Sequence, residues 1–208
     1  MTRQSKLLTM TAPRRAAFAA LVCLAAALPS ASKAQSVPVF EITPQTSALT
    51  FFVNSSVAVE GKFDKWNATL VFTSTDPTSG VLDIQIQAAS VDTGSGLKDG
   101  KLKGSDFFDV KNNPLIKFHS TKVVQTGPNT FEVDGDFTIR GVTKQEKLSL
   151  AASGIGTGIG GITGKMSFNR KDYGVNGSIP FLRIADEVDV TVDLKGKRVS
   201  GPPLVVKN

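Results

Sequence analysis

Cysteine is almost missing from this 208-residue chain: Cys23 is the single one, and it sits in an apolar N-terminal run. Val22 before it is not the small residue that lipid attachment to a cysteine requires. Beyond residue 34 there is no thiol, so neither a disulfide nor a thiolate metal site is available there. Histidine is equally scarce, with His119 alone. One imidazole and no thiolate leave a zinc or iron site short of its usual ligands. A Ser-His-Asp triad would have only His119 as its base, and no G-x-S-x-G elbow occurs. No catalytic residue, metal or cofactor is therefore expected. Long hydrophobic runs are also lacking: the one at residues 16–28 has 13 residues, short of the roughly 20 that span a bilayer as a helix. The excess of positive charge is confined to one place. Of 24 Lys and Arg, five (Arg3, Lys6, Arg14, Arg15 and Lys33) lie in the first 34 residues, which hold no acid. The rest sets 19 basic against 18 acidic residues, a net of +1. The pI near 9.5 belongs largely to the N-terminus and offers nucleic acid no basic surface.

What is present at the N-terminus reads as a secretory signal: a basic start, the apolar run, then Ser32 and Ala34 as the small residues before a cleavage site. Cleavage after Ala34 is expected, leaving a domain at 35–208. Arg14-Arg15 hints at twin-arginine export, but Phe18 lies one place too late, which favours the general secretory route. The remaining length buries roughly 70% of its unfolded surface as one domain.

The dominant period beyond residue 47 is two. Leu49, Phe51 and Val53 alternate with polar or outward positions, as do Val59, Gly61 and Phe63, then Trp66, Ala68, Leu70 and Phe72. Leu82, Ile84 and Ile86 follow, then Ile116, Phe118 and Ser120, and the run Phe131, Val133, Gly135, Phe137 and Ile139. Leu148 and Leu150, Met166 and Phe168, and Val188 to Leu194 complete the series. Each run is bounded by Gly, Pro, Asn, Asp or Ser, which predicts short strands in an antiparallel sandwich or barrel. Their polar partners are Lys, Asp, Thr and Gln, as suits an outer face in water. An outer-membrane barrel would reverse that pattern.

Residues 94–113 break the period. Leu97, Lys101 and Leu102 have helical spacing, with Gly104 as a stop and Ser105-Asp106 leading a turn that carries Phe107 and Phe108. This insertion covers one barrel end, either as a surface crossover plugged by the two phenylalanines or as a lid over a cavity. Residues 154–164 hold six glycines and a G-x-G-x-x-G match. Strand patterns flank it on both sides, where a dinucleotide site needs a following helix, so a hairpin or bent strand is expected. Asp134-Gly135-Asp136 lacks the other ligands of a calcium loop and reads as a strand position relaxed by glycine. His119, out of phase with Phe118, is expected to face outward. Arg140 and Arg170-Lys171-Asp172 suit either rim ion pairs or an anionic head group.

Several blocks, in order, resemble the YceI-like family of lipid-binding periplasmic proteins. They are Ser47-Ala48-Leu49-Thr50-Phe51, Val59-Glu60-Gly61-Lys62-Phe63, Ser90-Val91-Asp92-Thr93 and the segment from Asp99 to Val110. Phe118-His119-Ser120-Thr121, the stretch from Gly135 to Lys144, and Phe168 to Gly174 continue the series. The resemblance implies an all-β fold: an eight-stranded antiparallel lipocalin-like β-barrel with a short helical insertion near residues 97–109. It also implies an elongated apolar cavity for a long-chain amphiphile, a polyisoprenoid or a fatty-acid-like lipid. A barrel of about eight strands has room for one such ligand, and each buried methylene contributes about 0.8 kcal/mol. The expected lining is Phe51, Val59, Phe63, Leu70, Ile84, Phe118, Phe137, Leu150, Phe168 and Val190, with Phe107 and Phe108 at the mouth. The expected partner is that long-chain lipid or isoprenoid. Nucleic acid and stable membrane insertion after signal removal are not expected, and a homodimer is left open. Asn54, Lys101 and Gly104 depart from the family pattern, which bears on the head group more than on the tail. Two rival readings stay open. One is a filled structural or stress-response barrel that acts through protein partners. The other is an enzyme, for example one modifying an isoprenoid, dependent on His119 or a carboxylate.

Overall fold

The structure is a computed structural model and describes residues 36–56, 58–178, 181 and 183–206. The expected signal segment, 1–34, lies outside the described residues. Eleven strands follow in chain order: β1 Val39–Ile42, β2 Ala48–Val53, β3 Val59–Phe63, β4 Trp66–Phe72, β5 Gly80–Gln87 and β6 Val91–Asp92, then β7 Leu115–Gln125, β8 Thr130–Ile139, β9 Val142–Ser153, β10 Ile159–Asn169 and β11 Glu187–Ser200. One helix, α1 Gly96–Lys103, stands between β6 and β7.

All pairings are antiparallel, and eight strands close a ring in the order β1-β4-β5-β7-β8-β9-β10-β11 and back to β1. The expected eight-stranded barrel is borne out. Its length comes from β11, whose first half pairs with β2 (Val190 with Phe51) and whose second half pairs with β1 (Arg198 with Phe40). From β2 the sheet continues to β3 and β6. The thinnest seam is β1 to β4, where Val39 and Val71 alone are in register.

Side-chain alternation decides what is inside. On β8, Phe131, Val133, Gly135, Phe137 and Ile139 are buried while Glu132, Asp134, Asp136 and Thr138 alternate outward. On β7 the alternation is broken once. The register slips between Ser120 and Lys122, a bulge that inserts one residue. Ile116, Phe118 and Ser120 point inward before it and Val123 after it, leaving Val124 exposed. Buried Ser120 takes part in the ladder with its side chain, its Oγ accepting from the Leu82 N–H at 2.8 Å. His119 faces out, as expected, with its Nδ1 2.6 Å from Asp83 Oδ1.

Two strand glycines make room for inward rings. Phe51 lies against its register partner Gly61, and Phe118 lies over Gly135. A Cβ at Gly135 would overlap the Phe118 ring and sit 2.8 Å from the His119 carbonyl oxygen, which is backbone and has nowhere to go. Gly135→Ala is therefore expected to destabilise by about 1–3 kcal/mol, although alanine suits a strand no worse than glycine. Thermal unfolding checks this, and an unchanged midpoint would show that Phe118 does not pack there. Arg140 and Gly141, both at positive φ (52° and 74°), form the two-residue β8–β9 hairpin, whose twist matches the strands. The glycine-rich segment turns at Gly154 and enters β10 with no helix after it, so its G-x-G-x-x-G match has no dinucleotide geometry.

Candidate functional site

The inward side chains do not fill the barrel. A first cavity of about 220 Å³ is lined almost wholly by carbon. A second, of about 110 Å³, lies further along the same strands. Strands β5, β8, β9 and β11 each divide between them in order. Ile84, Phe137, Leu148 and Val192 face the first, and Leu82, Val133, Leu150 and Leu194 face the second. The boundary is a layer of Leu49, Leu82, Val133, Leu148 and Leu194, each 2% exposed or less. Leu148 and Val133 are direct cross-strand partners, one facing each cavity.

Ten of the twelve expected lining residues meet at the first cavity: Phe51, Val59, Phe63, Ile84, Phe107, Phe108, Phe118, Phe137, Phe168 and Val190. Leu70 and Leu150 do not join them. Both face the second cavity, because Leu70 is the register partner of Leu82 in the boundary layer and Leu150 lies two residues beyond Leu148. The sequence reading missed Leu49, Leu148, Val188 and Val192, which share the inward phase of residues it did name and were legible from it. It also missed Lys98.

α1 lies over the mouth. Its first turn is tied down by Asp99, which accepts from the Thr93 N–H (2.9 Å) and hydroxyl (2.7 Å). The cavity-facing side carries Lys98, Lys101 and Leu102. Leu97, which shares the helical spacing of Lys101 and Leu102, is 81% exposed, because it stands one position, about 100°, before Lys98 on the helix. The helix ends at Gly104, and residues 105–112 continue as turns. There Phe107 is buried and its ring occupies the space above Gly177, while Phe108 packs on Phe63 with centroids 6.0 Å apart. Arg140 holds this loop, donating from Nη1 to the carbonyls of Phe107 (2.7 Å) and Ser105. Lys98 and Lys101 have no ion pair among the described residues.

Arg170 is the buried cation of the site, 7% exposed and on the cavity wall. Its Nε donates to the Ala185 carbonyl (3.0 Å), its Nη1 to those of Val175 (2.7 Å) and Gly177 (3.1 Å), and its Nη2 reaches Asp186 (3.3 Å). A hydrogen bond from Lys171 (2.8 Å) holds the Asp186 carboxyl below its usual range against its partial burial. Both arginines are thus engaged with backbone carbonyls, while Lys98 and Lys101 line the mouth. Beside Arg170, Phe137, Phe168 and Tyr173 pack edge to face at 5.0–5.5 Å. Burial, reinforced by the hydrogen bond its hydroxyl donates to Glu146 (2.6 Å), pushes the Tyr173 phenol above its ordinary value. No cluster of three His, Cys, Asp or Glu able to hold a metal occurs among the described residues, and none of their helices is long and apolar enough to cross a membrane.

The YceI-like domain model matches residues 40–196 of this chain. A UPF0312 protein of Pseudomonas syringae pv. tomato is 31% identical over 140 residues, which are 65% of this chain and 72% of the relative. Among solved structures, BcnA of Burkholderia cenocepacia superposes with a TM-score of 0.68 at 24% identity, over 74% of this chain and 99% of BcnA. A polyisoprenoid binding domain from Saccharophagus degradans, implicated in plant cell wall breakdown, superposes with a TM-score of 0.63 at 16% identity, over 77% of this chain and 99% of that one. At these identities the two structures share the fold.

Proposed function

The chain belongs to the YceI-like family, and from that membership we propose that it is an exported carrier or scavenger of a long-chain amphiphile, polyisoprenoid or fatty-acid-like. The single observation that carries the reading is the first cavity: an interior of carbon whose mouth presents two lysines with no ion partner among the described residues. Ten methylenes entering it would contribute about 8 kcal/mol, which exceeds the lower range of association costs. The polyisoprenoid named for the Saccharophagus domain is one ligand class of this kind. Residues 1–34 serve as a cleaved secretory signal, which places the carrier in the periplasm.

Lys98 and Lys101 hold an anionic head group, phosphate or carboxylate. Lys101 stands where the family resemblance shows histidine. Lys98→Gln/Lys101→Gln is expected to weaken binding of a polyprenyl phosphate by about 1 kcal/mol, roughly fivefold, and to leave the corresponding polyprenol unchanged. Equal losses for both would remove the head-group role.

The direct test is native mass spectrometry of the chain after export by a bacterial host, with an organic extract alongside. A stoichiometric long-chain lipid lost on denaturation, on a chain beginning at Gln35, is the expected result. A bare mass that persists after incubation with polyprenyl phosphate and with palmitate would replace this reading with a barrel acting through protein partners.

A further inference from the structure

The open end of the barrel carries features that ligand binding alone does not require. Leu97, in the first turn of α1, is 81% exposed, and Phe181, on the segment between Val175 and Ile184, is fully exposed. Both belong to the rim. Leu97 precedes the cavity-lining Lys98, while Phe181 stands in the chain between Gly177, which lies against the Phe107 ring, and Ile184, which lines the cavity. Arg183, two residues on, is anchored by its backbone to Ser56: its N–H donates to Ser56 Oγ (2.9 Å) and its carbonyl accepts from the Ser56 N–H (3.0 Å). Its guanidinium, like the ammonium groups of Lys98 and Lys101, has no ion pair among the described residues. The rim acids are largely engaged: Asp99 with Thr93, Asp109 with Asn112 and Asn113, and Asp92 with Lys62. Asp106 and Glu60, which follows the cavity-lining Val59, remain as exposed acids.

We propose that this end docks on an anionic phospholipid bilayer, with Leu97 and Phe181 entering the head-group region and Lys98, Lys101 and Arg183 meeting lipid phosphates. The inference rests on the carrier reading and extends it: the cavity would open onto the bilayer, so an apolar tail passes between them without crossing water. Exposed apolar tips beside cations suit an interface that is apolar below and negatively charged above. Charge complementarity decides for a bilayer, because Lys98 and Lys101 follow Leu97 on α1 and Arg183 follows Phe181, so each apolar tip has a cation close in the chain at an apolar opening. Each cation near an anionic surface strengthens partitioning roughly fivefold, and salt removes that gain. Two apolar side chains and three charges give weak, reversible attachment, as a carrier that must leave the membrane requires.

The test uses the chain recovered after export and cosedimentation with phosphatidylglycerol–phosphatidylethanolamine vesicles, against vesicles of phosphatidylcholine. Association with the anionic vesicles, lost in high salt and reduced at least tenfold by Leu97→Asp/Phe181→Asp, is expected. Neither residue lines the cavity, so the double variant should still take a pyrene-labelled fatty acid from detergent as well as the unaltered protein. As a second readout, Phe181→Trp in a Trp66→Phe background should shift its emission to the blue on anionic vesicles. Equal sedimentation with both vesicle types, none with either, or an unshifted emission would overturn the docking. If the unaltered protein takes fatty acid from detergent yet ignores vesicles, docking alone fails. If it binds vesicles yet takes up no fatty acid or polyprenyl phosphate, the carrier reading fails.

Discussion

Val190→Phe is expected to lower affinity for a long-chain ligand roughly a hundredfold while leaving the barrel folded. Val190 is half-buried at the first cavity, between its register partners Met166 and Phe51. A phenyl ring there takes the room of about four methylenes, each contributing about 0.8 kcal/mol of tail burial. The loss of about 3 kcal/mol is a little over two decades in Kd. Enlarging a side chain in a packed core costs about 1–3 kcal/mol, but this one grows into empty space, so the unfolding midpoint should stay close to that of the parent. Titration with a fluorescent fatty acid, with thermal unfolding alongside, separates the two effects. Unchanged affinity in the folded variant would show that the tail lies elsewhere, the second cavity being the candidate. Phe118→Asp should also abolish uptake, with a heavier cost in folding, because it buries a carboxylate without a partner.

Arg170→Ala is expected to have the largest effect on stability. The guanidinium supplies hydrogen bonds to three carbonyls, those of Val175, Gly177 and Ala185, and reaches Asp186. Losing a charged donor costs more than losing a neutral one, and each buried carbonyl left unpaired adds about 1–3 kcal/mol. Water entering from the mouth relieves part of this, so a net loss of about 2–4 kcal/mol follows. For a domain of this size that lowers Tm by roughly 4–16 °C. Amides of the segment from Val175 to Asp186 should exchange faster, while those of β5, across the barrel, change little. Arg170→Lys should recover less than half of the loss, since an ammonium on a single stem cannot span the same fork of acceptors. A Tm within 2 °C of the parent would mean that the segment is held by other contacts.

Much of the fold was legible because strand alternation is local. Once Phe131, Val133, Gly135, Phe137 and Ile139 share one phase, the backbone puts them on one face, and the charged residues between them mark the other as wet. Ten of twelve lining residues followed from phase and family resemblance together. Leu70 and Leu150 share that phase but line the second cavity, because level depends on how far each strand is slid past its neighbours. The bulge at Ser120–Lys122 was hidden for the same reason: it exists only as a mismatch between β7 and β8. Lys98 was missed because an eight-residue helix with one half-buried leucine facing the cavity gives little periodic signal for its phase.

Arg170 marks the limit most clearly. The sequence offered a cation beside Lys171 and Asp172, with rim pairing or a head group as its uses. Its burial among three carbonyls required the chain to return at Val175–Ala185, contacts that close only when β10 and β11 are paired. The sequence by itself determined an all-β chain with an apolar inner face, an outer face suited to water, and little means for metal or thiol chemistry. These follow from composition and from the two-residue repeat of a strand, which acts within a few residues. Tertiary structure alone decided that the interior is two cavities divided by a leucine and valine layer, that lysines stand at the mouth of one, and that Leu97 and Phe181 remain outside. Those depend on register between strands distant in sequence and on the rotation of one short helix, neither of which any local pattern encodes.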